Sequence, residues 1–148
     1  MSDEVQELYQ AVILDHSRHP RNCRVIEGGY RAEGHNPLCG DRVTVYVRLV
    51  TDVIDDVSFD GSGCAITKAS ASLMTESVKG LTRADALSLL ERFHRMITAP
   101  PYAPIEELGT LTVLAGVRQF PTRVKCATLP WHALRAAAED RAERVSTE

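Results

Sequence analysis

Three cysteines stand far apart along this chain, each at a junction between patterned stretches, so a fold that uses them together must carry three distant junctions to one point. Cys39 lies in Gly34-His35-Asn36-Pro37-Leu38-Cys39-Gly40-Asp41, Cys64 in Asp60-Gly61-Ser62-Gly63-Cys64, and Cys126 in Arg123-Val124-Lys125-Cys126. A thiol that only fills space in a core needs neither neighbouring glycines nor cations. A thiolate that binds metal or attacks sulfur gains from both, because glycine lets partners approach and positive charge lowers the thiol pKa. There is no CxxC pair and hence no zinc-finger knuckle. Any metal site must be assembled by tertiary folding from a strand end, a loop and a helix start.

The 148 residues, 44% of them hydrophobic, suit one compact domain over 1–148 with an ordinary core. A formal charge of −3 lacks the basic excess of a nucleic-acid binder. The longest apolar runs are too short to span a bilayer, and Met1-Ser2-Asp3-Glu4-Val5-Gln6-Glu7 lacks the basic and apolar regions of a signal peptide. The expectation is a cytoplasmic protein without membrane or nucleic-acid partners, where reduced, scattered cysteines point to metal or catalysis.

Hydrophobic periodicity divides the chain into elements. Val5, Leu8, Tyr9, Val12 and Ile13 form one helical stripe that starts near Ser2 or Asp3 and ends before Pro20. Residues 18–38 read as loop with one short strand near Tyr30. Val43, Val45, Val47 and Leu49 alternate with polar residues, and a turn at Thr51-Asp52 leads to Val53, Val57 and Phe59, predicting an antiparallel hairpin. After Gly61-Ser62-Gly63 a helix rich in Ala and Ser follows, a composition suited to close approach of other backbone. Thr82 and Asp85 resemble a capping box before a helix with Leu87, Leu90, Phe93 and Ile97 inward. A break over 98–104 precedes a short helix expected from Pro104 to Gly109, and Leu111, Leu114 and Val117 or Arg118 suggest another. Because Pro130 is tolerated best in a first turn, the last helix, with Trp131 in the core, is expected to start near Cys126–Thr128. The polar tail after about Ala142 is expected to fray.

On an extended strand Cys39 and Asp41 would point to the same side and could share a ligand sphere; the alternative is a turn in which Asp41 caps backbone amides. Cys64 and Cys126 are both expected at helix N-termini, which favour thiolates, with Arg123 and Lys125 adding charge beside Cys126. The alternative for these two is a pair of buried structural cysteines. Three thiolates and a carboxylate suit tetrahedral zinc and leave a net charge of roughly −2, which Arg123 and Lys125 could offset. His35 reads as a surface-loop residue, His16 and His19 suit a helix C-terminus, and His94 and His132 fall on helix faces. Cys23, with no glycine or ligand partner nearby, reads as a bystander.

With these residues assembled, the chain resembles the U-type iron–sulfur assembly proteins, above all the SufU branch, a relative of the IscU scaffolds. The resemblance runs from Leu8-Tyr9-Gln10-Ala11-Val12-Ile13-Leu14-Asp15-His16 to Trp131. It is sharpest over Gly34–Asp41, Phe59-Asp60-Gly61-Ser62-Gly63-Cys64-Ala65-Ile66, and Arg123-Val124-Lys125-Cys126-Ala127-Thr128-Leu129-Pro130-Trp131. IscU scaffolds carry a histidine where this chain has Lys125, and the stretch near 81–102 looks like the extra length of SufU. The resemblance implies an α+β, SufE/IscU-like two-layer sandwich, a three-stranded antiparallel sheet with helices packed on it. It further implies a zinc-dependent sulfurtransferase, with Cys39, Asp41, Cys64 and Cys126 as metal ligands and Cys39 as sulfur acceptor. The implied partners are a SufS-type cysteine desulfurase and downstream iron–sulfur assembly proteins. Two other readings remain: an IscU-like scaffold holding iron or a [2Fe–2S] cluster on the same ligands, and a non-catalytic zinc-stabilised adaptor that activates the desulfurase.

Overall fold

In the computed structural model residues 3–38, 40–139 and 145–146 are described, the side chains of Asp3, Val5, Val145 and Ser146 excepted. The chain order is α1 (Asp3–Arg18), β1 (Tyr30–Asn36), β2 (Asp41–Val50), β3 (Val53–Ser62), α2 (Ala65–Val78), α3 (Arg83–Thr98), a 3-10 helix (Gly109–Gln119), α4 (Pro121–Ala138) and β4 (Val145–Ser146). The sheet has the order β3-β2-β1-β4. Its first three strands are antiparallel, and the two-residue β4 adds a parallel pairing at Gly34 and His35. This is the expected three-stranded antiparallel sheet with helices packed on it. The fraying expected after about Ala142 otherwise concerns residues outside those described.

Alternation builds the centre of the sheet. Val43, Val45 and Val47 of β2 are buried, while Arg42 and Arg48 are exposed. The β2–β3 turn puts Thr51 and Asp52 at φ 50° and 63°, the left-handed pair that matches strand twist in a two-residue hairpin. A bulge then shifts the register: Arg48 faces Asp56, but Leu49 faces Ile54. The shift changes the inward phase, so fully buried Ile54 takes the core position that strict alternation assigns to Val53. Backbone bonds from Arg24 N to Phe59 O and from Phe59 N to Asn22 O, 2.9 and 3.0 Å, cover the free edge of β3.

The helices occupy one side of the sheet, with α4 against β1 and β2 and α2 against both β3 and α4. Gly34 allows that approach, since a Cβ there would meet Leu129 Cδ1 at 2.9 Å. The small residues of α2 serve close contact as expected. Ser70 Oγ donates to Ala127 O at 2.5 Å and accepts from Trp131 Nε1 at 3.1 Å. Ser72 Oγ bonds His16 Nδ1 at 2.7 Å, tying α1 to α2. Thr82 caps α3 by accepting from Asp85 N at 3.1 Å, and buried Phe93 stacks on Trp131 with centroids 4.5 Å apart.

Two expectations are corrected. Residues 104–108 form no helix; Glu106 instead pairs with Arg92, and helical structure begins at Gly109. From there the turn is 3-10, and Leu111, Leu114 and Val117, all buried, follow its three-residue period. The last helix begins at Pro121 and runs through Pro130. A first-turn proline opens it, and Pro130 sits inside because packing holds the turn that its missing N–H weakens.

Candidate metal centre

Asp41 is the first residue of β2, opposite Asn36 at the end of β1. The four-residue connection between them is a tight turn: Gly40 adopts φ 76°, its N–H donates to Asn36 O at 2.8 Å, and Leu38 N–H donates to Asn36 Oδ1 at 3.1 Å. Gly40 itself is left-handed, not the extended residue considered within Cys39-Gly40-Asp41. Cys39 itself lies outside the described residues. Its neighbours Leu38 and Gly40 are exposed, so the turn reaches solvent. His35, expected in a loop, sits half-buried on β1 opposite Arg42.

Cys64 occupies the N-cap of α2 without a side-chain cap of its own. Asp41 instead satisfies the amide of the cap residue itself, its Oδ1 accepting from Cys64 N at 3.2 Å. Its Oδ2 accepts from Thr67 Oγ1 at 2.6 Å. The first turn of α2 has no acidic residue, so the β2 carboxylate supplies the negative charge that a helix N-terminus favours.

Cys126, 3% exposed, comes from the second turn of α4. Its expected place at a helix N-terminus is incorrect, and the dipole argument for this thiol falls with it. What α4 provides is rigid placement, with Sγ directed back toward Thr122 O at 3.6 Å. Arg123 is exposed and Lys125 half-buried just before it on the same helix.

One ligand atom each from Asp41, Cys64 and Cys126 lies within 4.8 Å of the others. Two thiolates on a tetrahedral zinc stand about 3.8 Å apart at Zn–S distances of about 2.3 Å. The cluster is thus near ligand spacing, and its sulfur–oxygen donor set suits zinc or another thiophilic ion. Strand end, helix cap and helix body meet here from residues that are far apart in the chain.

Cys23 lies elsewhere, bridging toward Phe59 at the covered edge of β3. Burial and the charge of Asp60 raise its thiol pKa against the opposing pull of Lys68, the reverse of activation. His94 and His132 meet edge to face with centroids 6.0 Å apart between α3 and α4. The residues that sequence reasoning missed are Thr67 and the particular need for Gly63. The available signal was a hydroxyl three positions after Cys64 at a helix start, behind a small residue.

The chain is 42% identical over 127 residues to the zinc-dependent sulfurtransferase SufU of Bacillus subtilis, covering 86% of each protein. It is 40% identical over 134 residues to the iron–sulfur cluster assembly scaffold protein IscU of Streptococcus pyogenes, covering 90% of this chain and 84% of that one. Among solved structures, a protein of Fervidobacterium islandicum described as an iron–sulfur cluster assembly scaffold protein for the SUF system, SufU, superimposes with a TM-score of 0.81 at 35% identity, covering 90% of this chain and 98% of that one. A NifU-like N-terminal protein from Brucella abortus has the same fold, with a TM-score of 0.78, 24% identity and coverage of 93% and 96%. Residues 8–141 match the NifU-like N-terminal domain family, and the chain belongs to that family.

Proposed function

We propose that this protein is a zinc-dependent sulfurtransferase of iron–sulfur cluster assembly that accepts persulfide sulfur from a SufS-type cysteine desulfurase in the cytoplasm. The observation that carries the reading is the convergence of Asp41, Cys64 and Cys126 beside the turn that bears Cys39. Cys39, Asp41, Cys64 and Cys126 would hold the zinc. Bound zinc supplies Lewis-acid stabilisation of thiolates, keeping them deprotonated near neutral pH. The exposure of Leu38 and Gly40, the sequence neighbours of Cys39, against a half-buried Cys64 and a buried Cys126, supports Cys39 as the thiol an incoming persulfide reaches.

In the transfer, the Cys39 thiolate attacks the terminal sulfur of the desulfurase persulfide. A new S–S bond forms on Cys39, the old one breaks, and its electron pair leaves with the desulfurase cysteine as thiolate. No outside oxidant or reductant is consumed. Arg123 and Lys125, just before Cys126 on α4, would offset part of the excess negative charge of the site.

The identity to an IscU scaffold favours a second reading, a [2Fe–2S] cluster built on the same donors. Lys125, in the position where the scaffolds carry histidine, weighs against it. The test combines metal analysis of the purified protein with mass spectrometry after incubation with desulfurase and cysteine. Zinc near one per chain and an added sulfur on Cys39 support transfer. A stable chromophore after anaerobic reconstitution, with no sulfur on Cys39, would favour the scaffold. Desulfurase stimulation without any sulfur on Cys39 would favour the adaptor.

A further inference from the structure

Thr67 joins two of the candidate ligands without being one. It is 1% exposed in the first turn of α2. Its Oγ1 donates to Asp41 Oδ2 at 2.6 Å and stands 3.4 Å from Cys64 Sγ. The Cys64 amide holds Asp41 Oδ1 at 3.2 Å, so both carboxylate oxygens are oriented by one helix start.

The local packing is arranged around this hydroxyl. A Cβ on Gly63 would meet Thr67 Cγ2 at 3.0 Å, Thr67 Cβ at 3.1 Å and Asp41 Cγ at 3.5 Å. A larger residue there would push directly on the Thr67–Asp41 pair. The glycine ahead of Cys64 therefore makes room for a threonine, not only for a partner approaching the thiol.

We infer that Thr67 is a positioning residue of the metal centre, fixing the Asp41 carboxylate relative to Cys64 so that both present donors to one ion. The inference rests on the zinc reading above. Hydrogen bonds to ligating carboxylates hold ligand geometry, and their loss costs about 10–100-fold in metal affinity. A hydroxyl is required for the role and a methyl is not, which separates positioning from packing.

The experiment compares wild type, Thr67→Val and Thr67→Ser in zinc competition against a chromogenic chelator. It adds the absorption spectrum of the Co²⁺-substituted proteins and thermal melts of the metal-free forms. Thr67→Val should lower zinc affinity by about 10–100-fold and alter the Co²⁺ bands. Thr67→Ser should restore both. Wild-type affinity and spectrum in Thr67→Val would overturn the inference, as would a Thr67→Ser as weak as Thr67→Val. If Thr67→Val does not fold, Thr67→Ala read against Thr67→Ser decides in the same way. A wild type that takes up no zinc would instead overturn the metal reading itself, whatever the variants do.

Discussion

Cys23, Cys64 and Cys126 share a side-chain chemistry and differ in what surrounds them. Cys64 occupies a helix N-cap position beside a carboxylate, Cys126 is held in the second turn of another helix, and Cys23 is exposed at a strand edge, where partial desolvation and the charge of Asp60 disfavour its thiolate. Cys64→Ser and Cys126→Ser should lose zinc by elemental analysis and lose stimulation of the desulfurase, whereas Cys23→Ser should retain both. Zinc lost in Cys23→Ser and kept in Cys126→Ser would contradict the ligand set. Cys39→Ala is the sharper test of chemistry, because three donors and a water could still hold zinc while no thiol accepts sulfur. The expected result is absence of the persulfide mass on that variant; wild-type loading would remove Cys39 as acceptor. Asp41→Ala should fold but release zinc faster to chelator, since it removes both a donor and the acceptor for Cys64 N and Thr67 Oγ1.

The elements differ in how their ends are secured, and those ends position the site. Thr82 satisfies an amide at the start of α3 with its own hydroxyl, while α2 borrows a carboxylate from β2. Thr82→Ala should therefore cost about 1 kcal/mol, seen as a lower urea midpoint, with zinc content unchanged. Equal zinc loss would show that α3 is coupled to the site more tightly than its separate cap implies. The 3-10 helix is held differently. Arg118 donates to the carbonyls of Pro100, Pro101 and Ala103 at 3.2, 3.1 and 3.0 Å, fastening the proline-rich break onto the segment that leads into α4. That fastening helps account for a long run of a helix type usually confined to single turns.

At the scale of the molecule, a bound metal, buried His16 and half-buried His132 would set how stability responds to conditions. An ion that binds only the assembled site stabilises the folded state by about 4 kcal/mol at a free concentration of about 1,000 times Kd. Chelation should lower the melting temperature, and indifference to chelator would contradict a resident metal. Burial lowers the pKa of His16, with Arg21 adding to it and Glu76 opposing. Burial likewise lowers that of His132, with His94 adding to it. A folded pKa below the unfolded one means that the unfolded state binds more protons in between. Stability is then complete above about pH 6.5 and falls as pH drops through the depressed folded values. Metal-free protein should melt lower at about pH 5.5 than at about pH 7.5, and His132→Gln should flatten the slope. An unchanged slope would place the proton uptake elsewhere.

The sequence by itself determined the hairpin, the capped α3, the Ala/Ser-rich α2 and the apolar positions of the core. Each of these is written in short-range periodicity or in a cap three residues long, where neighbours in sequence are neighbours in space. The spacing of the cysteines also showed that a shared site needed long-range assembly. Tertiary structure alone decided where α4 begins, because nine residues of helix can precede Pro130 only if packing against α2 and the sheet supports the weakened turn. It alone decided that a bulge moves Ile54 inward and that Gly40 is left-handed at the entry to β2. The bond from Thr67 to Asp41 spans 26 residues and depends on a strand end meeting a helix start, a relation that no local pattern encodes.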